Sequence, residues 1–574
     1  MHYKRKICEV LLMKKTRLLF LIILVFSVLF ITGNDQSAMA QSYPDTIRVG
    51  IYSGSSSASS VSIVTKSGLE IGYYEDGNYN VLLTTEGDAQ TIFRKDAHFI
   101  KSSSGAITEY NPNEGVPFEG ETYGPFHIKI GDSVPDLATA QALCETYKTM
   151  GVLAYPALEN GWSVWTGFYS NATKASADIP NLATKLGGIS LELLETSSSR
   201  IIVYSSTFEP RMIFGANDIK LNARPNSLND PKIITVNSKP YRGEIELRRF
   251  ADSDMTIINI VDIEQYLYGV VPREIESFAP MEALKAQAVA ARTYAYKAMD
   301  SYKKWDFDVV NTQSSQVYGG YSDEKESTNK AVDATKGKKV LYNNKLASLF
   351  YFSSSGGMTE DNIYVWGSDI PYLKSVLDPY EAGNSYNYTW SRTYTAEDIK
   401  MKLFLSGVEI GDILSMTVEE YTPAGRARKL KIIGTQGSIT YTNEDIRIIL
   451  GKDGNYLPSR MFTISGGGSS GTGSGTASVL SANGSVSTMN VYGAKAVTSS
   501  GVYDILSSAG PVKVVSADSS TIIAGAVSDG TFVLTGKGWG HGIGMSQEGA
   551  KGFARNGYTY DQILMHYFPG VTVE

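Results

Sequence analysis

Between Gly536 and Gln547 the chain reads Gly-Lys-Gly-Trp-Gly-His-Gly-Ile-Gly-Met-Ser-Gln, with glycine at every second position from 536 to 544. In an extended segment alternate residues share a face. Gly536, Gly538, Gly540, Gly542 and Gly544 then leave one face bare, while Lys537, Trp539, His541, Ile543 and Met545 crowd the other. A bare backbone face calls for something bulky to approach it. Two readings stand side by side: a ligand laid along the segment, or a neighbouring sheet packed tightly on a glycine-rich hairpin.

The N-terminus bounds the compartment. Lys14, Lys15 and Arg17 precede an apolar run from Leu18 to Ile31, and a polar stretch ends at Ala38-Met39-Ala40. That is the charge, length and small-residue exit of a secretory signal at residues 1–40, with cleavage expected after about Ala40 and Met13 as the better-proportioned start. The alternative is an N-terminal membrane anchor, for which a run from Leu18 to Ile31 is short. Removing residues 1–40 takes six basic and two acidic residues from totals of 52 and 59, leaving 46 against 57 and a net charge near −11. That balance argues against nucleic acid as a partner. Cys8 falls in the leader, so Cys144 is the single cysteine of the mature chain and no disulfide framework is expected.

Short β-like runs separated by Ser/Gly clusters make residues 41–121 a β-rich region. Residues 122–172 change character, with a strand at Gly124–Gly131, an amphipathic helix from Asp136 to about Met150, and two further strands, the second at Gly161–Phe168. This order resembles a SPOR domain, a module that binds peptidoglycan glycan strands stripped of their stem peptides. Trp162 and Trp165 sit on opposite faces of their strand, so at most one is offered to sugar and either can be core. Further on, Pro280 opens the main helix, with Met281, Leu284, Ala288, Ala291, Tyr294 and Ala298 as its expected buried stripe. Alanine at many intervening positions predicts close approach of another element. A Gly/Ser-rich run at 466–475 reads as a flexible linker, opening a small β-rich insertion over 466–530. The expected fold class is α+β: multidomain and β-rich, with one main alanine-rich helix.

Five blocks belong together: Tyr266-Leu267-Tyr268-Gly269-Val270-Val271-Pro272-Arg273-Glu274-Ile275, the helix segment Glu282 to Ala295, Ser353-Ser354-Ser355-Gly356-Gly357, the glycine-rich motif, and His566-Tyr567-Phe568-Pro569-Gly570. In this order they strongly resemble the stage II sporulation protein D (SpoIID) / LytB family, which implies a domain over 199–574 that the 466–530 segment interrupts. The family includes exported lytic transglycosylases acting on denuded peptidoglycan, and members described as enhancers of N-acetylmuramoyl-L-alanine amidases. The resemblance puts the catalytic glutamate at Glu274. One carboxyl group near apolar walls, its pKa raised, can protonate the glycosidic oxygen and then take the proton of the muramoyl 6-hydroxyl. Pro272, Ile275 and Phe278 are candidates for those walls. A two-carboxylate hydrolase needs a second acid, for which Asp262, Glu264, Glu276 and Glu282 are available. The bland alternative for Glu274 is a solvated carboxylate before a helix start.

Lys285 and Arg292, seven apart on the helix, form either a solvated charged face or a cradle for the free lactyl carboxylate of a denuded strand. Tyr372 and Lys374 are candidates for the same groove. Ser354 and Ser355 lack a histidine nearby, so a turn offering hydroxyl and N–H groups to substrate or to the glycine-rich segment is expected in place of a nucleophile. Trp539, His541 and Gln547 complete the candidate substrate-binding set, with His541 equally readable as structural or as a brace for Glu274. Zinc-binding family members carry cysteines and a histidine before a Gln-x-Tyr-Gly segment; here Val310, Ser314 and Ser315 stand in their place, ahead of Gln316. Neither Val nor neutral Ser is a credible zinc ligand, so no metal and no cofactor is expected. The expected partners are peptidoglycan glycan strands, with an amidase as the alternative.

Overall fold

The computed structural model describes residues 43–574, apart from 216–218, 228–230, 251–252, 386–387, 453 and 467–529, where only the backbone of three short hairpins is described. The signal expected at 1–40 lies outside the described residues. So does the side-chain environment of most of the 466–530 segment. No helix among the described residues is long and apolar enough to cross a membrane.

The strand Thr46–Tyr52 alternates, with Ile47, Val49 and Ile51 turned into the core. It pairs in parallel with Val309–Val310 and lies next to Met255–Asp262 in a seven-stranded sheet. A ten-stranded sheet likewise interleaves Ser60–Val64 and Thr91–Lys95 with Arg200–Tyr204 and Ile233–Val236. Residues 41–121 are therefore not a separate region. Their strands complete sheets begun more than a hundred residues later, because unpaired strand edges are satisfied by whichever strand folding brings alongside.

The small module stands where expected but is larger. Asp136 caps the helix Leu137–Thr149 by accepting the Thr139 N–H at 2.8 Å. Beyond the strand Trp162–Tyr169 come a second helix, Ala172–Lys185, and a fourth strand, Leu191–Leu193, which pairs with Phe126–Val134. The unit thus runs to Leu193, past the expected limit of 172, with its own core around Ile128, Ile130, Val164 and Leu182. Its sheet continues into the β-rich body through the parallel pairing of Ala154–Leu158 with Pro210–Gly215. Trp165 is core: its indole N–H donates to Ser163 Oγ at 2.8 Å, and the Arg200 guanidinium lies 4.8 Å from the ring.

The helix Met281–Ala298 is buried on nearly every face from Ala283 to Ala295, beyond the single stripe its spacing predicts. Met281 is a correction: it is exposed, since burial of the helix begins only at Ala283. The helix packs against Ile263–Glu274, Glu326–Ala334, Gln547–Arg555 and Tyr560–Tyr567, so segments on either side of the 466–530 stretch meet on it. A second core, including Trp390, Tyr394, Leu430, Ile432, Phe462 and Leu534, draws on the paired strands Thr389–Thr395 and Thr531–Lys537 and on the strand Ala427–Gly434 of another sheet. The interruption of the domain is thus wider than 466–530. Arg426, at 1% exposure, pins that second core to the first, donating to the backbone carbonyls of Ser355, Met358 and Thr359 at 2.9, 2.8 and 3.2 Å.

Because Thr46–Tyr52 and Thr91–Lys95 are interior strands, residues 199–574 expressed alone should fail to give a cooperative thermal transition, whereas 43–574 should unfold cooperatively. Circular dichroism melting checks this; a cooperative 199–574 fragment would contradict the interleaving.

Candidate functional site

Glu274 is the last residue of the helix Ile263–Glu274, after which Ile275 is extended. Pro272 lies in the final turn, and the chain leaves the helix to start the alanine-rich one after Pro280. Ionisation there is disfavoured twice. The negative end of the helix dipole opposes a carboxylate, and burial raises the Glu274 pKa to about 7 against hydrogen bonding by the Tyr351 phenol and the Val317 backbone. The burial comes from Tyr266, Tyr294 and Tyr351, whose own pKa values are raised by burial and by the Glu274 charge. Phe278 is not a wall: it is 85% exposed.

No ion pair holds Glu274 among the described residues, and none of the other four carboxylates is free to serve as its partner. Asp262 caps the helix, accepting from the Glu264 and Gln265 N–H groups at 2.9 and 3.1 Å. Glu264 receives the Arg292 guanidinium, and Glu282 receives Lys285 at 2.8 Å and the Tyr560 N–H at 2.9 Å. Glu276, two residues from Glu274, is bound by Lys551 at 2.7 Å. Burial raises its pKa, but the Lys551 hydrogen bond and charge outweigh this, and the carboxyl is lowered. Two neighbouring glutamates are thus driven in opposite directions.

Arg292 is a correction. It is fully buried, donating to Glu264 at 3.0 and 3.1 Å and to the Val332 and Lys338 carbonyls at 3.2 and 3.1 Å, so no lactyl carboxylate reaches it. Lys285 is spent on Glu282. Ser354 and Ser355 are also corrections as substrate donors: both hydroxyls donate to the buried Glu381 carboxylate, Ser355 at 2.6 Å. Their turn instead serves the glycine-rich segment, since Ser354 and Trp539 exchange backbone hydrogen bonds at 3.1 and 2.8 Å. The Tyr372 hydroxyl accepts the Ser348 N–H at 2.9 Å, and Lys374 is held by Asp361 and Asp369, which leaves neither in a cationic groove.

The glycine motif is not extended throughout. The strand ends at Lys537, and Gly538, Gly540, Gly542 and Gly544 all have positive φ. What approaches the bare backbone is the protein itself. A Cβ on Gly542 would lie 2.9 Å from Arg426 Nε, and one on Gly544 would lie 2.2 Å from the Phe350 carbonyl oxygen. The motif then pairs in parallel with Tyr351–Phe352 through Met545–Ser546. His541 sits among Trp366, Phe352 and Phe350, with ring centroids at 5.1, 5.5 and 6.4 Å. Burial, helped by the nearby arginines, lowers its pKa to about 3 against a hydrogen bond with the Tyr351 backbone. Nδ1 accepts the Ile543 N–H at 2.9 Å, so the ring is a neutral strut under Tyr351 and not a base. Gln547 donates to Gln287 of the alanine-rich helix at 3.4 Å. Trp539 and Trp366 remain 39% and 45% exposed. Sequence reasoning passed over Tyr351, Gln316 and Tyr266 as site residues, although each stands in or beside a quoted block.

Among the described residues no group of His, Cys, Asp and Glu side chains is arranged to hold a metal. The Val309–Ser315 loop is held by hydrogen bonds, including Val310 N–H to Ser315 Oγ at 3.2 Å.

Residues 251–342 match the stage II sporulation protein family, SpoIID, and residues 368–475 match a domain of unknown function, DUF8618. The chain thus carries a SpoIID domain and is similar along more than half its length to SpoIID and amidase-enhancer proteins. It is 32% identical over 368 residues to the amidase enhancer of Bacillus subtilis, covering 62% of this chain and 46% of that protein. It is 28% identical over 329 residues to stage II sporulation protein D of B. subtilis, covering 54% of this chain and 74% of that protein. The Bacillus amyloliquefaciens stage II sporulation protein D is 29% identical over 340 residues, covering 56% and 77%. The SpoIID match contains Glu274 and the alanine-rich helix, while the DUF8618 match overlaps the second core and contains Arg426.

Two outcomes follow from these environments. Arg292→Ala leaves Glu264 as an uncompensated buried charge and should cost about 3–5 kcal/mol in denaturant unfolding; a loss of glycan binding at unchanged stability would reinstate the cradle. For Glu274, the folded pKa of about 7 lies above the unfolded 4.5, so its contribution is fully present below pH 4.5 and lost as pH rises through 7. Glu274→Gln should therefore stabilise the protein at pH 8, by up to about 3 kcal/mol, and by much less at pH 5.

Proposed function

We propose that the protein is an exported peptidoglycan lytic transglycosylase that cleaves denuded glycan strands between N-acetylmuramic acid and N-acetylglucosamine, with Glu274 as the single acid and base. The observation that carries this reading is the Glu274 carboxyl, unpaired and raised to about 7, beside a Glu276 held low by Lys551.

In the forward step the protonated Glu274 gives its proton to the glycosidic oxygen as the muramoyl C1–O bond breaks. The N-acetylglucosamine end leaves with that proton. The carboxylate left behind takes the proton of the muramoyl 6-hydroxyl as O6 closes on C1, which restores the acid and yields a 1,6-anhydro end without water. A carboxyl with pKa near 7 is close to the optimum for a group that must do both. The half-exposed indoles of Trp539 and Trp366 offer apolar faces on which sugar rings can stack. The SPOR-like unit, running to Leu193, would tether the enzyme to peptide-free strands and raise the local substrate concentration.

A second reading is favoured by the B. subtilis relative named an amidase enhancer, of whose length the chain spans 46%. In it the protein activates a separate N-acetylmuramoyl-L-alanine amidase and Glu274 is dispensable.

Mass spectrometry of products from intact and amidase-stripped peptidoglycan separates the two. Soluble 1,6-anhydromuramoyl fragments should appear from stripped glycan and fall at least 100-fold with Glu274→Gln, on the order expected for loss of a general acid. Undegraded glycan together with accelerated release of stem peptides by added amidase would support the enhancer. If Glu274 is the acid, cleavage should decline above pH 7, with about a tenth of the enzyme protonated at pH 8.

A further inference from the structure

We propose that Tyr351 and Gln316 are positioning residues that hold the Glu274 carboxylate through its two proton transfers, by a one-way chain of hydrogen bonds running out of the core. The inference rests on the reading of Glu274 as acid and base.

The chain begins at Tyr266, fully buried, whose hydroxyl donates to Gln316 Oε1 at 3.3 Å. The Ala291 carbonyl, which can only accept, settles which way the Gln316 amide faces. Its Nε2 then donates to the Tyr351 hydroxyl oxygen at 3.1 Å and to the Ala291 carbonyl of the alanine-rich helix at 3.3 Å. With its oxygen accepting from Gln316, the Tyr351 O–H is available to Glu274, and its interaction with that carboxyl opposes the effect of burial. Gln316 is 2% exposed, so water does not compete for the amide. Every link has one polarity, and each donor polarises the next.

A donor aimed at a carboxylate does little for the protonated acid and much for the anion. Tyr351 therefore acts where charge develops, in the interval after Glu274 has given its proton and before it recovers one. Occupying one carboxylate oxygen also directs the other at the glycan. His541 and the glycine motif then have a purpose at a distance from substrate: they support the backbone of Tyr351 through the Met545–Ser546 pairing.

The test measures the proton on Glu274 without relying on turnover. The unfolding free energy of the whole protein minus that of its Glu274→Gln counterpart, followed from pH 4 to 9, isolates the Glu274 titration, with an inflection near 7 in the parent. In a Tyr351→Phe background the inflection should rise by about one unit, the effect of losing one hydrogen bond to a charged group. Gln316→Met, which keeps the phenol and removes its polarising donor, should move it in the same direction by less. This second variant also serves if Tyr351→Phe does not fold. An inflection unmoved in the variants that fold overturns the proposal, since a merely structural role would lower stability at every pH alike. Anhydromuramoyl products are assayed alongside. A moved inflection without products from any variant supports the relay while the transglycosylase reading fails; products with an unmoved inflection do the reverse.

Discussion

The structure depends on how closely other elements can approach the helix Met281–Ala298. Alanine at 283, 286, 288, 290, 291 and 295 leaves little side chain between this helix and its neighbours, which come from residues 263–334 and again from 547–567. Close-packed interiors tolerate little change in volume, so larger residues at those positions would push the surrounding helices apart. One charged side chain is buried on it, that of Arg292, and it is neutralised inside the core by Glu264, itself in the first turn of the helix that ends at Glu274. The same ion pair therefore orients the helix that presents Glu274.

Charge is distributed in keeping with that arrangement. The cations nearest the site in sequence, Arg273, Lys285 and Arg292, pair with Asp323, Glu282 and Glu264, and among the described residues none is left as a counter-charge for Glu274. Lys551 reaches across from the other end of the chain and binds Glu276 instead. The tendency to hold a proton is thereby raised on one glutamate and lowered on another two residues away. Opposite-charge pairing and burial shift carboxyl pKa values in opposite directions, and both act here within three residues.

The glycine motif follows the same logic of approach. Left-handed backbone at alternate glycines lets the segment turn under Phe350 and Phe352 and beside Arg426, where any side chain would collide. Its product is a supported Tyr351, with Trp539 left half-exposed. Arg426, entering from the DUF8618-matching region, seals the adjoining Ser355–Thr359 turn, so the second core is mechanically part of the site's foundation.

Read alone, the sequence carried the strand-rich α+β class, the helix after Pro280, the helix start near Asp136 and the candidate Glu274, because periodicity, helix-start signals and motif order are local properties of the chain. It also held open the reading in which the glycines meet the protein's own sheet. It did not reveal that Thr46–Tyr52 pairs with Val309–Val310, that Ser354 and Ser355 face Glu381, or that Arg292 is buried. Nor did it show the Tyr266–Gln316–Tyr351 chain, whose members lie up to 85 residues apart and meet only once the helices have packed. Residue type states what a side chain can donate or accept; burial and partner, which decide whether an arginine binds a ligand or a carboxyl keeps its proton, belong to the tertiary structure, because desolvation and Coulomb energy depend on distances that no local pattern encodes.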